Sequence, residues 1–121
     1  MEVRYSLRVP VEGTVMFSGE RCVGDGNLID VSLPGCLLQT ARQLEEGEYL
    51  SLRVLLPGQV VPLKIPLAVV RWGKHGLAGL EFIQSSLSDQ RRLRQFVRRH
   101  EQLVNRLPGR WEDGTEWMAA V

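Results

Sequence analysis

From Val11 to about position 85 apolar and polar residues follow one another at the short period of strands, and then the period lengthens to that of a helix. Val11, Gly13, Val15 and Phe17 alternate with Glu12, Thr14 and Met16, the pattern of a half-buried strand, and Ser18-Gly19-Glu20 marks a turn. A second strand is predicted from about Val23 to Val31, with Gly24 and Gly26 as candidates for a bulge. Pro34-Gly35 supplies the φ-locked and φ-permissive pair that a type II turn requires, and Cys36 to Gln39 starts the third strand. After a polar connection ending in Glu45-Glu46-Gly47, Tyr49 to Leu56 reads as a strand, Pro57-Gly58-Gln59 as a hairpin turn and Val60 to Trp72 as a long return strand. Pro62 and Pro66 cannot donate ladder hydrogen bonds, so the first half of that strand is expected on an edge or bulged. Gly73-Lys74-His75-Gly76 is a further turn, and Leu77 to Ile83 the last strand.

Ser86-Leu87-Ser88-Asp89 has the form of a capping box with Asp89 in place of the usual Glu. Beyond it Leu93, Phe96, Val97, His100, Leu103, Val104 and Leu107 share one helical stripe, and Pro108-Gly109 stops the helix. Arg91, Arg92, Arg94, Arg98, Arg99 and Arg106 occupy the other face, which reads as a solvated surface. Residues 1–9 carry too few apolar positions for a core strand and are read as an arm. Residues 10–107 form the folded unit. Residues 108–121 form a C-terminal tail with Trp111 and Trp117 and no clear period. Six short strands and one terminal helix predict an all-β domain with one C-terminal α-helix, a small antiparallel barrel whose opening or side the helix covers.

The 121 residues suffice for one domain and one modest core. A formal net charge of +1 offers no global attraction for nucleic acid or anionic lipid, so any basic function is local, and nucleic-acid binding is disfavoured. Thirteen of the fifteen basic residues are arginines, the exceptions being Lys64 and Lys74, which favours planar, bidentate cations. Cys22 and Cys36 lack metal-site spacing and are expected as a reduced, buried pair. No apolar run approaches the length of a membrane span and the first residues have no signal-peptide character, so the expectation is a cytoplasmic protein. The sequence has no paired catalytic carboxylates, no nucleophile–histidine arrangement and no metal or phosphate-loop spacing, so it does not read as an enzyme and no cofactor is expected.

One two-part constellation carries specific chemistry. Arg4 and Arg8, in Arg4-Tyr5-Ser6-Leu7-Arg8, precede Asp30-Val31-Ser32-Leu33-Pro34-Gly35. Arginine forks bind phosphate and the O6/N7 edge of guanine, a carboxylate and a hydroxyl accept from guanine N–H groups, and glycine permits close backbone approach. The set suits a guanine nucleotide. The alternative for Asp30 and Ser32 is turn chemistry, since both side chains commonly bond nearby backbone.

The order RxxxR then [D/N]xSxxG resembles the signature of the PilZ family, over roughly residues 4–104. Val69-Val70-Arg71 and Gly79-Leu80-Glu81-Phe82 resemble two of the family's later strands. The resemblance implies a six-stranded antiparallel PilZ-like barrel and a receptor for cyclic di-GMP. In it, Arg4 and Arg8 lie on an arm that wraps the ligand, and Asp30, Ser32 and Gly35 face it from the barrel. Trp72 is the candidate stacking platform, with a barrel-core tryptophan as the alternative and Arg71 as the substitute. Strand alternation puts Arg71 and Trp72 on opposite faces, with one of them inward. Val3 stands where many members have a further arginine, which leaves the ligand stoichiometry open. With only three residues ahead of Arg4, the expectation is a free-standing sensor whose output passes through a separate partner protein. The alternative is a PilZ-like adaptor that binds protein and no nucleotide. The partner and the process, whether motility, exopolysaccharide, secretion or transcription, stay open, as does the oligomeric state.

Overall fold

The computed structural model describes residues 8–104, with side chains described through His100. Six strands follow in order: β1 (Val9–Gly19), β2 (Val23–Val31), β3 (Gly35–Gln39), β4 (Tyr49–Leu55), β5 (Leu63–Lys74) and β6 (Leu77–Gln84). The helix α1 (Leu87–Val104) comes last. All neighbouring strands are antiparallel, and the order β1-β2-β3-β6-β5-β4 closes through pairing of β4 with β1, giving the expected barrel. Closure removes both sheet edges, which in a small all-β domain are sites of unwanted pairing.

Alternation fixes what lies inside. Val15, Phe17, Leu28, Leu38, Leu50, Leu52, Val54 and Ile65 fill the barrel, and Leu93, Phe96 and Val97 of α1 join the same core cluster. The helix packs on β1 and β5, the two strands that flank β4. Its start is capped as expected in one half: the Asp89 N–H donates to Ser86 Oγ at 3.0 Å. The Asp89 carboxylate does not reach back to complete a capping box. It accepts from the Lys64 amide on β5 and from Arg92. Arg92 leaves the solvated arginine face entirely and donates to the Val61 and Pro62 carbonyls and to Gln59 Oε1, tying the β4–β5 connection to the helix.

Several local expectations change. Val60 and Val61 lie in the connection and are exposed, and β5 begins only at Leu63. With the barrel closed, Pro66 sits on no edge. It lies in a bulge, since Leu50 pairs with Ala68 and Leu52 with Ile65. The bulges of the first hairpin fall at Val11-Glu12 and Ile29 rather than at Gly24 or Gly26. Gly26 serves another purpose: a Cβ there would collide with the Gln39 carbonyl oxygen. The β5–β6 turn has two central residues at positive φ, His75 and Gly76, as a type I′ hairpin demands. Val9, placed in the arm by its sequence context, is the first residue of β1 and is fully buried. The rest of that arm through Leu7, and the tail 108–121 with its two tryptophans, fall outside the described residues.

Candidate functional site

The β2–β3 corner and the start of β1 meet at one place on the barrel. Asp30 is the next-to-last residue of β2 and pairs with Pro10 of β1 and Leu37 of β3. Arg8 immediately precedes β1, and the antiparallel β1–β2 pairing brings it across to Asp30, 22 residues away in sequence. Its Nη1 lies 3.3 Å from Asp30 Oδ1, and both side chains are almost wholly buried, 4% and 3% exposed. Arg4 lies outside the described residues.

This pair is electrostatically under-compensated. Burial pushes the Asp30 carboxyl up to about 7, against the opposing pull of the Arg8 charge, the Arg8 hydrogen bond and the Leu37 backbone amide. Burial likewise lowers the Arg8 pKa, with Asp30 opposing. The Nη1–Oδ1 contact at 3.3 Å is long for a charge-assisted hydrogen bond. Asp30 Oδ2 is buried without a hydrogen-bond partner among the described residues. The corner therefore holds a carboxylate oxygen ready to accept from a donor that the described residues do not provide.

Ser32 and Gly35 build the corner. The Ser32 N–H donates to the Gly35 carbonyl at 2.8 Å and the Ser32 hydroxyl to the same oxygen at 3.2 Å, so the hydroxyl does the turn work that the sequence admitted. Gly35 does not adopt the positive φ of a type II turn. The central residues of the connection are Leu33 and Pro34, and Gly35 already belongs to β3, where a Cβ would strike the Leu80 carbonyl oxygen of β6. Its smallness is required by close strand approach and not by turn geometry.

Trp72 and Arg71 do not divide between inside and outside. Val70 pairs with Leu80 and Trp72 with Gly79, so Arg71 is the extra residue of a bulge and the alternation breaks there. Arg71 is exposed and pairs with Glu81 at 3.4 Å. Trp72 is half-buried and outside the core cluster, and its indole covers Gly79, where any Cβ would meet Nε1. That Nε1 is buried and has no hydrogen-bond partner among the described residues. Leu80 points into the core, so Gly79 and Trp72 lie on the outer face. Across the sheet, one outer row runs Asp30, Leu37, Gly79, Trp72. Three inter-strand spacings separate the row's ends by about 14 Å. The candidate site is this row, with the buried Arg8–Asp30 pair at one end and the tryptophan platform at the other.

The six-stranded barrel with its C-terminal helix, and an arginine before β1 set against an Asp-x-Ser-x-x-Gly corner, coincide with a match to the PilZ domain family model over residues 2–99. The chain belongs to the PilZ domain family.

This PilZ domain is similar in fold to several solved ones. The PilZ domain of CeSA from a cellulose-synthesizing bacterium is 18% identical, with a TM-score of 0.62 over 79% of this chain and 99% of that one. The Bacillus subtilis inhibitor of motility MotI/DgrA is 23% identical, with a TM-score of 0.68 over 82% of this chain and 51% of that one. The PilZ domain of YcgR from Escherichia coli, solved with c-di-GMP, is 14% identical, with a TM-score of 0.64 over 93% of this chain and 97% of that one. No curated protein matches the chain significantly. Among the described residues no helix is long and apolar enough to cross a membrane. The cysteines are both free; Cys36 is buried, but Cys22 is only half-buried.

Leu37 and Gly79 belong to the candidate row, and the motif reading did not include them. Leu37 lies within the strand after the signature, and Gly79 was visible only as part of a strand pattern. The signal for Gly79 was a glycine inside a strand, which marks close approach of another group.

Proposed function

We propose that this PilZ domain is a receptor for cyclic di-GMP, in which Arg8 and Asp30 hold a guanine, Arg4 adds a second cation and Trp72 offers a stacking face. The reading rests on one observation: Asp30 is buried beside Arg8 with Oδ2 unpartnered. Guanine presents N1–H and its exocyclic amine side by side on one edge and O6 and N7 on another. A carboxylate accepts from the first edge and an arginine fork donates to the second, a combination adenine does not satisfy. Ser32 and Gly35 act as positioning residues that set the Asp30 corner. The YcgR PilZ domain, solved with c-di-GMP, supports the choice of ligand.

Ligand entry loosens Arg8 from Asp30 and reorders the segment ahead of β1, so the occupied domain presents a surface that a separate protein reads. Titration calorimetry tests this directly. Cyclic di-GMP is expected to bind, with cyclic di-AMP and GTP far weaker. No heat with cyclic di-GMP at tens of micromolar overturns the receptor reading. The burial of both Arg8 and Asp30 favours the second reading, a protein-binding adaptor with an internal structural ion pair. Under that reading Arg8→Ala leaves ligand response unchanged and substitutions on the exposed face of α1 abolish the phenotype.

A further inference from the structure

The two ends of this barrel present opposite charge. On α1, Leu87, Arg91, Arg94 and Arg98 recur at the spacing that sets them on one exposed stripe, about 16 Å long, turned away from the core-facing Leu93, Phe96 and Val97. None of the three arginines has an ion pair or side-chain hydrogen bond among the described residues. Asp89 is the only acid among the helix's described side chains, and Arg92 and the Lys64 amide already occupy it. Leu87 stands 72% exposed at the head of the stripe.

The other end is acidic. Glu20, Glu45, Glu46 and Glu48 line a groove of about 380 Å³ together with Tyr49 and one cation, Arg21. Its turn is stiffly held. The Glu48 N–H donates to the Glu45 carbonyl at 3.1 Å, the Glu45 N–H to Glu48 Oε1 at 3.0 Å and the Gly47 N–H to the Val70 carbonyl of β5 at 2.7 Å. Pairing of Gly19 with Leu50 brings Glu20 to the same end, where Tyr49 is 61% exposed. The carboxylates of Glu20, Glu45 and Glu46 make no ion pair or hydrogen bond among the described residues.

β4 runs from one end to the other. Tyr49 opens it at the acidic turn, and Arg92 ties the connection that follows Leu55 to α1, about 20 Å away along the strand. That is more than two Debye lengths at physiological salt, about 8 Å each, so the two ends of one chain do not neutralise each other. A second copy offers each end its complement. We infer that copies of this chain associate head to tail, with the arginine stripe of one seated on the acidic turn of the next and Leu87 against Tyr49. The inference goes beyond the receptor reading and does not depend on it. Because the two faces differ and lie at opposite ends, the contact is heterologous and does not close at two copies. Exposed ion pairs are individually weak, so the association is weak and salt-sensitive, while the hydrogen-bonded turn and the helix limit the ordering each side loses on contact.

Sedimentation velocity of the full chain tests this. At low salt the weight-average sedimentation coefficient is expected to rise with concentration without levelling off at the dimer. It is expected to return to the monomer value in about 1 M salt, where the Debye length is about 3 Å. Arg91→Glu with Arg94→Glu, and separately Glu45→Lys with Glu46→Lys, are each expected to stay monomeric, since each then carries like charge on both faces. An equal mixture of the two double variants is expected to associate again, because the stripe of one and the turn of the other are then opposite in sign. Recovery in the mixture excludes misfolding as the cause of the loss. The contact is overturned if the unaltered chain stays monomeric at every concentration in low salt, if either double variant alone associates like it, or if the mixture stays monomeric. No nucleotide is present, so each result leaves the receptor reading to its own calorimetry.

Discussion

Two arginine–carboxylate pairs of nearly equal length sit on this barrel and have opposite physical characters. Arg8–Asp30 spans 3.3 Å with both side chains buried, whereas Arg71–Glu81 spans 3.4 Å with 49% and 39% of the side chains exposed. Distance alone makes them equivalent. Burial shifts the Arg8–Asp30 pair toward its neutral forms, and the pair pulls back only in part. At the exposed pair, water and salt screen the attraction, and each residue keeps its solvation. Under the proposed reading the buried Asp30 Oδ2, which has no hydrogen-bond partner among the described residues, is where an incoming ligand can donate. A solvated pair gains little from one.

The largest contrast is expected from removing each arginine. Arg8→Ala strands the Asp30 carboxylate, and the loss of stability is expected at about 3 kcal/mol above pH 8, measured by urea midpoint. The loss shrinks near pH 5, where Asp30 takes a proton and no longer needs the cation. Cyclic di-GMP affinity in the same variant falls about ten- to a hundredfold. A loss of stability equal at both pH values breaks the contrast between the two pairs.

The second test is the pH profile itself. Asp30 titrates near 7 in the folded domain and near the ordinary carboxylate value when unfolded. Between those values the unfolded chain has released the proton and the folded domain retains it. Stability from this group is therefore complete at low pH and declines as pH rises from about 4 through 7. Asp30→Asn is expected to remove that part of the slope in urea midpoints taken between pH 4 and 8, and an unchanged slope rules out Asp30 as its source.

A smaller effect is expected at the tryptophan end of the row. Gly79→Ala pushes the Trp72 indole off its seat, at a cost of about 1–3 kcal/mol, and shifts a tryptophan emission component that Trp72→Phe removes. Smallest of all, Arg71→Ala is expected to change stability by less than about 0.5 kcal/mol, and that little is reduced further by added salt. A large effect there would make the two pairs alike after all.

How far the sequence was legible follows the same division between local and non-local causes. β2 was bounded correctly at Val23 and Val31, and the helix start at Ser86, because alternation and a capping hydroxyl are local signals. Arg71 and Trp72 were misjudged because strand alternation assumes an unbroken ladder, and the break is set by pairing with β6. Gly35 was assigned to a turn because Pro-Gly is a strong local cue, while its actual constraint is the Leu80 carbonyl 45 residues on. Arg92 read as one more solvated arginine until the β4–β5 connection was placed beside it.

By itself the sequence determined the strand and helix periods, which residues face the core, and the motif that joins Arg8 to the Asp30 corner in one family signature. These depend on neighbours a few positions away, where side-chain chemistry and backbone preference act directly. Only the tertiary structure decided that Arg8 and Asp30 are buried together, that Trp72 lies over Gly79 on the outside, and that Glu20 shares one groove with Glu45, Glu46 and Glu48. Burial and strand register arise from barrel closure, a sum over distant pairings that no local window contains.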